Sequence, residues 1–305
     1  MSEQTVLYTQ IDRSTALPIE HELHDSTSYW RDAWQRLRSN RAAMTGFVIL
    51  AILLLFAAIG PLLSRYTYYE THLHLKNQPP SWQFWFGTDE LGRDLFTRLW
   101  WGARISLFVG VAASLIDLFI GVFYGAIAAL LGGKMEEIMM RIADILYAIP
   151  YLLLVILLMV IIGSGLLTII LALTMTGWIG MARIVRGQIL QIKELDFVKA
   201  AYAMGASRKR VLMQHLIPNV MGSIIVTVTL TIPTAIFAEA FLSFLGLGVQ
   251  APIASWGTMA SDGLSALNYY PWRLFFPATF ISLTMLSFNL LGDGLRDAFD
   301  PRLRT

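Results

Sequence analysis

The chain has 305 residues, of which 56% are hydrophobic and only 14% charged, against roughly 45–50% and about 25% in soluble domains. The apolar residues gather into runs long enough to cross a bilayer, which takes about 20, so a polytopic membrane protein is indicated. The lack of cysteine excludes a disulfide framework and thiolate metal sites, and a net charge of +2 carries no nucleic-acid signal.

Residues 1–43 read as a tail before the first span, with 1–28 polar, mixed and expected to be weakly ordered. The opening MSEQTVLYTQIDRSTALPIEHELHDSTSYW lacks the basic-then-apolar order of a cleaved signal peptide. The first hydrophobic run is therefore expected to stay as a span. In WRDAWQRLRSNRAAM, Trp30, Ala33, Trp34 and Leu37 share one helical face, while Arg31, Arg36, Arg38 and Arg41 lie mostly off it. That pattern suits a helix lying on the inner leaflet, as a plain anchor or with regulatory work.

Six all-α spans follow, over 44–64, 104–131, 141–162, 166–184, 220–245 and 272–292. An outer loop, 65–103, separates the first span from the five that make up 104–292, and 293–305 form a C-terminal tail. The second span is long enough to tilt or to protrude. The third and fourth are joined by GSG at 163–165 as a tight hairpin. Gly60-Pro61, Gly121, Gly125, Pro150, Pro233 and Pro277 lie inside spans, where they permit close packing or kinks. With the N-terminus inside, 17 of the 23 lysines and arginines fall on inner segments. Both termini are then expected in the cytoplasm.

Between the fourth and fifth spans lies the basic stretch KAAYAMGASRKRVLMQHLIPN, residues 199–219. Asp196 is placed to cap a short helix over 197–204, its carboxylate accepting first-turn N–H bonds. Gly205 falls where a helix end wants a left-handed residue. Ser207 can cap a second helix, 208–217, and Pro218 disfavours helical geometry at Ile217. Phe197, Val198, Ala201, Tyr202 and Met204 make an apolar knob on this inner loop. Such a knob either docks into a partner or belongs to a re-entrant or lipid-lying loop.

This stretch resembles the cytoplasmic loop of ABC importer permeases, which reads E-A-A, three residues, Gly, nine residues, I-x-L-P. Ala200, Ala201 and Gly205 stand at that spacing, followed by His215, Leu216, Ile217, Pro218 and Asn219. Lys199 replaces the glutamate and His215 the first isoleucine, so no carboxylate stands at position 199 for a salt bridge to an ATPase. FGTDELGRDLFTRLWWGARISL (86–107), LGGKMEEIMMRIADILYAIP (131–150), ARIVRGQIL (182–190), EAFLSFLGLGVQAP (239–252) and FNLLGDGLRDAFDPRL (288–303) extend the likeness to nearly the whole chain from residue 34. All are similar to the C-type permease of dipeptide, oligopeptide and nickel importers. The resemblance implies a type I (MetI-like) permease fold and a coupling loop, 185–219, seated on an ATPase. It assigns Asp196, Phe197, Lys199, Ala200, Ala201, Gly205, Ala206, Ser207, His215, Pro218 and Asn219 to that contact. The implied partners are a second homologous permease, two ABC ATPase subunits, an extracytoplasmic peptide-binding protein and membrane lipid in a bacterial plasma membrane.

No phosphate-cradling G-x-x-x-x-G-K-[ST] is present; the nearest approach, ALLGGKME, lacks the first glycine and the hydroxyl residue. No catalytic triad or thiol nucleophile is legible either. The chain is thus expected to be no enzyme and to bind no cofactor, with ATP and magnesium held by the ATPase subunits. Asp117, mid-span, is a candidate for a polar lining of the substrate path; packing alternatives are a protonated carboxyl or a hydrogen bond to Ser114 or to the neighbouring permease. Glu239, near the outer end of the fifth span, is expected to bind another loop, with substrate contact as the alternative. His21, His24, His72 and His74 lack the H-E-x-x-H spacing and read as solvated loop histidines, with no metal site. The aromatic cluster SWQFWF in the outer loop could lie on the outer leaflet, meet the paired permease or meet a binding protein. Two rivals stand beside peptide import. One is import of nickel or another small solute, and the other is an ion-coupled carrier, which should show inverted repeats and broken midplane helices.

Overall fold

The computed structural model describes residues 29–299, so expectations for 1–28, including His21 and His24, and for 300–305 lie outside it. The regular elements among the described residues are all helices, apart from one isolated antiparallel bridge between Thr88 and Asp94 in the long loop that follows the first span. Among the described residues five helices are long and apolar enough to cross a membrane, or six if one pair bent by 78° counts as a single span.

The N-terminal helix α1 (Tyr29–Ser39) leads directly into α2 (Arg41–Leu63), which Asn40 caps by accepting the Ala43 N–H at 3.1 Å. The face expected to lie on lipid is divided. Ala33 and Leu37 are buried against Ala298 and Leu295, at the far end of the chain, while Trp30 and Trp34 stay half-exposed. A single buried stripe runs down α2: Ala43, Gly46, Leu50, Leu53, Ala57 and Gly60. Steps of three and four residues keep it on one face. Beyond its first turn the opposite side of α2 is apolar and exposed, through Phe47, Val48, Ile52, Leu54, Leu55, Ile59 and Leu62, as expected of a peripheral helix in lipid.

Helix α3 (Leu95–Leu131) begins well before the expected 104. At 37 residues it is about 55 Å long, more than a hydrocarbon core of about 30 Å requires. The early start is made possible by side chains that hydropathy counts as polar. Asp94 caps the helix, accepting the Thr97 N–H at 3.0 Å, and Arg98 is buried beside Asp89, 3.5 Å away. Asp89 also pairs with Arg93 at 2.6 Å, so one buried carboxylate is shared by two buried arginines.

The expected single span 141–162 is instead α4 (Gly133–Tyr147) and α5 (Tyr151–Ile162), bent by 78° across Ala148–Pro150. Pro150 has no N–H to continue the ladder, and its ring disfavours helical geometry at Ile149. Helix α6 (Leu166–Lys193) runs beyond the expected 184 because its basic residues find partners. Arg186 pairs with Glu136 at 2.5 Å, Arg183 with Asp144 at 2.8 Å, and Lys193 Nζ donates to the Ala129 carbonyl at 3.3 Å.

Helices α3 and α6 make the most extensive helix contact in the chain. Gly121 and Gly125, in a G-x-x-x-G pair on α3, let it lie against the backbone of Trp178 and Ala182. Small residues at such positions are how membrane helices approach closely. After α7 (Asp196–Ala203) and α8 (Arg208–Val211) the chain enters α9 (Ile217–Phe244). It closes with α10 (Trp256–Leu264) and α11 (Trp272–Phe299). Two end clusters result, one where α7 meets α3, α6 and α9, the other where α2, α3, α10 and α11 meet under the long loop.

Candidate functional site

The loop between α6 and α9 is a folded elbow. Leu195, not Asp196, occupies the cap position of α7, and it supplies no side-chain bond; Asp196 is the first helical residue. The acid therefore acts on the helix dipole rather than as the cap. The other end follows expectation closely. Gly205 has φ +82°, its N–H donates to the Tyr202 carbonyl at 2.9 Å, and the Ala206 N–H donates to Ala201 at 3.0 Å. These two bonds define a Schellman motif. Ala206 packs in the same cluster as Ala201 and completes it.

Ser207 caps α8, accepting the Arg210 N–H at 3.3 Å. Pro218 does not end the helix, contrary to expectation. A π-helical turn, Leu212–Leu216, shifts the ladder and lets the chain run on through Pro218 into α9. Such a turn accommodates a residue that cannot donate. Asn219 Nδ2 donates to the His215 carbonyl at 2.5 Å, which satisfies an acceptor near the disturbed turn.

The apolar knob also divides. Val198 and Ala201 are buried in a cluster with Val122, Ala126, Val185 and Leu216, which belong to α3, α6 and the entry to α9. Phe197 and Met204 stay exposed, at 43% and 83%, as do Leu195, Lys199 and Ala200. The Phe197 ring lies 6.4 Å from that of His215, which ties α7 to the π turn. Lys199 pairs with Glu194 at 3.5 Å. Both ends of that pair are exposed, so it contributes little. One side of α7 is thus rooted where three long helices end, and the other is bare.

At the opposite end of α9, Glu239 is fully buried. It accepts from Ser106 Oγ at 2.9 Å and from Ser243 Oγ at 2.7 Å, while Ser106 accepts the Trp256 N–H at 3.2 Å. One carboxyl therefore joins α3, α9 and α10. Leaving such buried donors without an acceptor costs about 1–3 kcal/mol each. Glu239→Ala is accordingly expected to lower the unfolding temperature of the extracted protein clearly, and Glu239→Gln much less, by dye-free scanning fluorimetry.

Asp117 lies in the α3–α6 contact, only 8% exposed. It abuts Gly177, where a side chain would strike its carboxyl group. Of the alternatives for it, the bond to Ser114 is absent: neither Ser114 Oγ nor Asp117 Oδ1 has a partner among the described residues. His72 and His74 stand ring to ring at 6.0 Å, and no group of three metal-ligating side chains occurs among the described residues.

The bundle of long apolar helices and its rooted elbow define a polytopic membrane protein, and comparison with known proteins gives the family. The model of the binding-protein-dependent transport system inner membrane component matches residues 121–305, and that of the N-terminal TM domain of oligopeptide transport permease C matches 28–80. The oligopeptide permease OppC of Bacillus subtilis (strain 168) is 62% identical over 92% of both chains. The dipeptide permease DppC of the same organism is also 62% identical, over 92% of this chain and 88% of its own. OppC of Escherichia coli (strain K12) is 43% identical over 92% and 93%. A chain of the inward-facing MetNI methionine ABC transporter shares the fold, with a TM-score of 0.54 at 20% identity over 65% of this chain and 94% of that one. The chain belongs to the family of binding-protein-dependent ABC transport permeases, among its oligopeptide and dipeptide members.

Proposed function

We propose that this chain is one of two related permeases in an ATP-driven importer of peptides across a bacterial plasma membrane. Peptide as the substrate is supported by the relatives, which are oligopeptide and dipeptide permeases at up to 62% identity. An extracytoplasmic binding protein delivers the peptide, and two ATPase subunits carrying ATP and magnesium sit beneath the elbow. The observation that carries this reading is the two-sided α7. Its bare residues, Phe197 and Met204, face outward for a partner, while Val198 and Ala201 join it to α3, α6 and α9. A displacement of α7 is thereby a displacement of those helix ends. Closing of the ATPases would open the path outward, and hydrolysis would return it inward. The test is uptake of a labelled peptide into proteoliposomes. It should require the binding protein, ATP and the ATPase subunits together; uptake driven by an ion gradient alone, or of Ni²⁺ in place of peptide, would overturn it.

The orientation, with both termini and α7 cytoplasmic, rests on the clustering of basic residues at the elbow end. With no native cysteine, it can be checked without background labelling. Lys76→Cys, in the long loop, should react with an impermeant maleimide added to intact cells, and Lys134→Cys, beside the elbow, should react only after lysis. The reverse pattern would invert the assignment.

A further inference from the structure

Trp82 is 99% exposed, an indole touched by almost nothing in its own chain. Together with Trp85, Phe96, Leu63 and Arg65 it lines an open groove of about 620 Å³ where α2 leaves the apolar region. Arg65 makes no ion pair among the described residues. The acid that shares the groove, Asp94, is turned to its own chain: its Oδ2 accepts from Ser64 Oγ at 3.1 Å, the Thr97 N–H at 3.0 Å and Thr97 Oγ1 at 2.5 Å. Asp94 is only 4% exposed whereas Arg65 is exposed, so the charged group presented at the groove's surface is a cation. Below it, the outward side of α2 continues as uninterrupted apolar surface through Leu62, Ile59, Leu55 and Ile52.

We propose that this groove is a phospholipid site in the leaflet at the loop end of the bundle. The three zones of the surface match the three zones of such a lipid in order and direction. The phosphodiester meets the Arg65 guanidinium, a charge-assisted contact that a surface arginine makes well. The indoles of Trp82 and Trp85 sit at glycerol and ester depth, where amphipathic rings are favoured at membrane interfaces. The acyl chains follow α2. A protein partner would also cover a tryptophan, but it would not explain why an exposed arginine and two exposed tryptophans stand at the end of the exposed apolar side of α2. The site would fix the loop, and with it the α3 start at Asp94, at a set depth. The proposal needs only that the chain spans a membrane and does not depend on which solute is carried.

The complete transporter, purified in mild detergent and studied by native mass spectrometry, should retain phospholipid on this permease. Arg65→Gln and Trp82→Ala should each lower that retention several-fold, and the pair should abolish it, with folding checked by unchanged monodispersity. Equal retention in the double variant would overturn the site. A second measurement does not depend on retention in detergent. A nitroxide on Pro80→Cys, next to Trp82, in phosphatidylglycerol–phosphatidylcholine nanodiscs should collide more with oxygen than with a water-soluble nickel chelate. If the chelate dominates until the purified binding protein is added, the occupant is that protein and the proposal is wrong. Peptide uptake, measured alongside, reports separately on the transport assignment.

Discussion

Gly125→Val is expected to prevent the chain from accumulating as an extractable, monodisperse membrane protein. A Cβ built on Gly125 meets the Ala182 carbonyl and its backbone carbon, not the tip of a flexible side chain. Nothing there can rotate away, so α3 and α6 must separate. Overpacking inside a fitted interface costs typically 1–3 kcal/mol, and more when backbone has to move. In lipid the loss is compounded, because no hydrophobic force restores the contact and helix association rests on packing and interhelical bonds. Val122, Ala126, Met181 and Val185, which root the elbow, flank the same seam. The control is Gly180→Ala on α6, where a Cβ meets nothing within 4 Å. Alanine there should leave accumulation unchanged or slightly raised, since it is favoured over glycine in a helix by roughly 1 kcal/mol. Fluorescence-detected size exclusion of tagged variants separates the two. Equal profiles would mean that the close α3–α6 approach is not what holds the chain together.

Much of this architecture is written in the sequence as hydropathy, and hydropathy sees composition, not direction. It places the apolar runs but passes over the 78° bend, because AIP between two apolar stretches scores as apolar. It starts the second span too late, since Arg98 counts as a charge until Asp89 is known to lie beside it. The D-x-x-T of Asp94 and Thr97, an ordinary capping signal, would have found the true start. The elbow was legible wherever the signal was local. Gly205 and Ser207 act on their own backbone neighbours and behave as their types demand. Pro218 misleads because a π turn several residues earlier absorbs it, a register change with no residue signature. The burial of Val198 and Ala201 is likewise tertiary. It depends on where α3 and α6 end, which no window around residue 200 contains. Glu239 lay in a stretch marked by resemblance, but its partner Ser106, which in turn accepts the Trp256 N–H, stands far off in sequence.

The bare side of α7 gives the prediction with the sharpest functional reading. Phe197→Asp is expected to abolish peptide uptake while leaving this permease folded and inserted, because Phe197 is 43% exposed and lies outside the buried cluster. If α7 sits in an ATPase groove, a carboxylate there must be desolvated without a partner, which costs several kcal/mol. The ATPase subunits should then co-purify poorly, and hydrolysis should cease to respond to loaded binding protein. Gly205 probes the same device from behind. A left-handed backbone costs a non-glycine residue roughly 1–2 kcal/mol, but a Cβ at Gly205 meets nothing within 4 Å. The penalty is therefore conformational and not steric. Gly205→Ala should weaken coupling mildly, whereas Gly205→Val, whose branched side chain tolerates positive φ worst, should open the Schellman turn and tilt α7. The order of coupled hydrolysis should run wild type, Gly205→Ala, Gly205→Val, Phe197→Asp. Tight coupling in Phe197→Asp would show that the exposed side of α7 is not the surface through which the ATPases act.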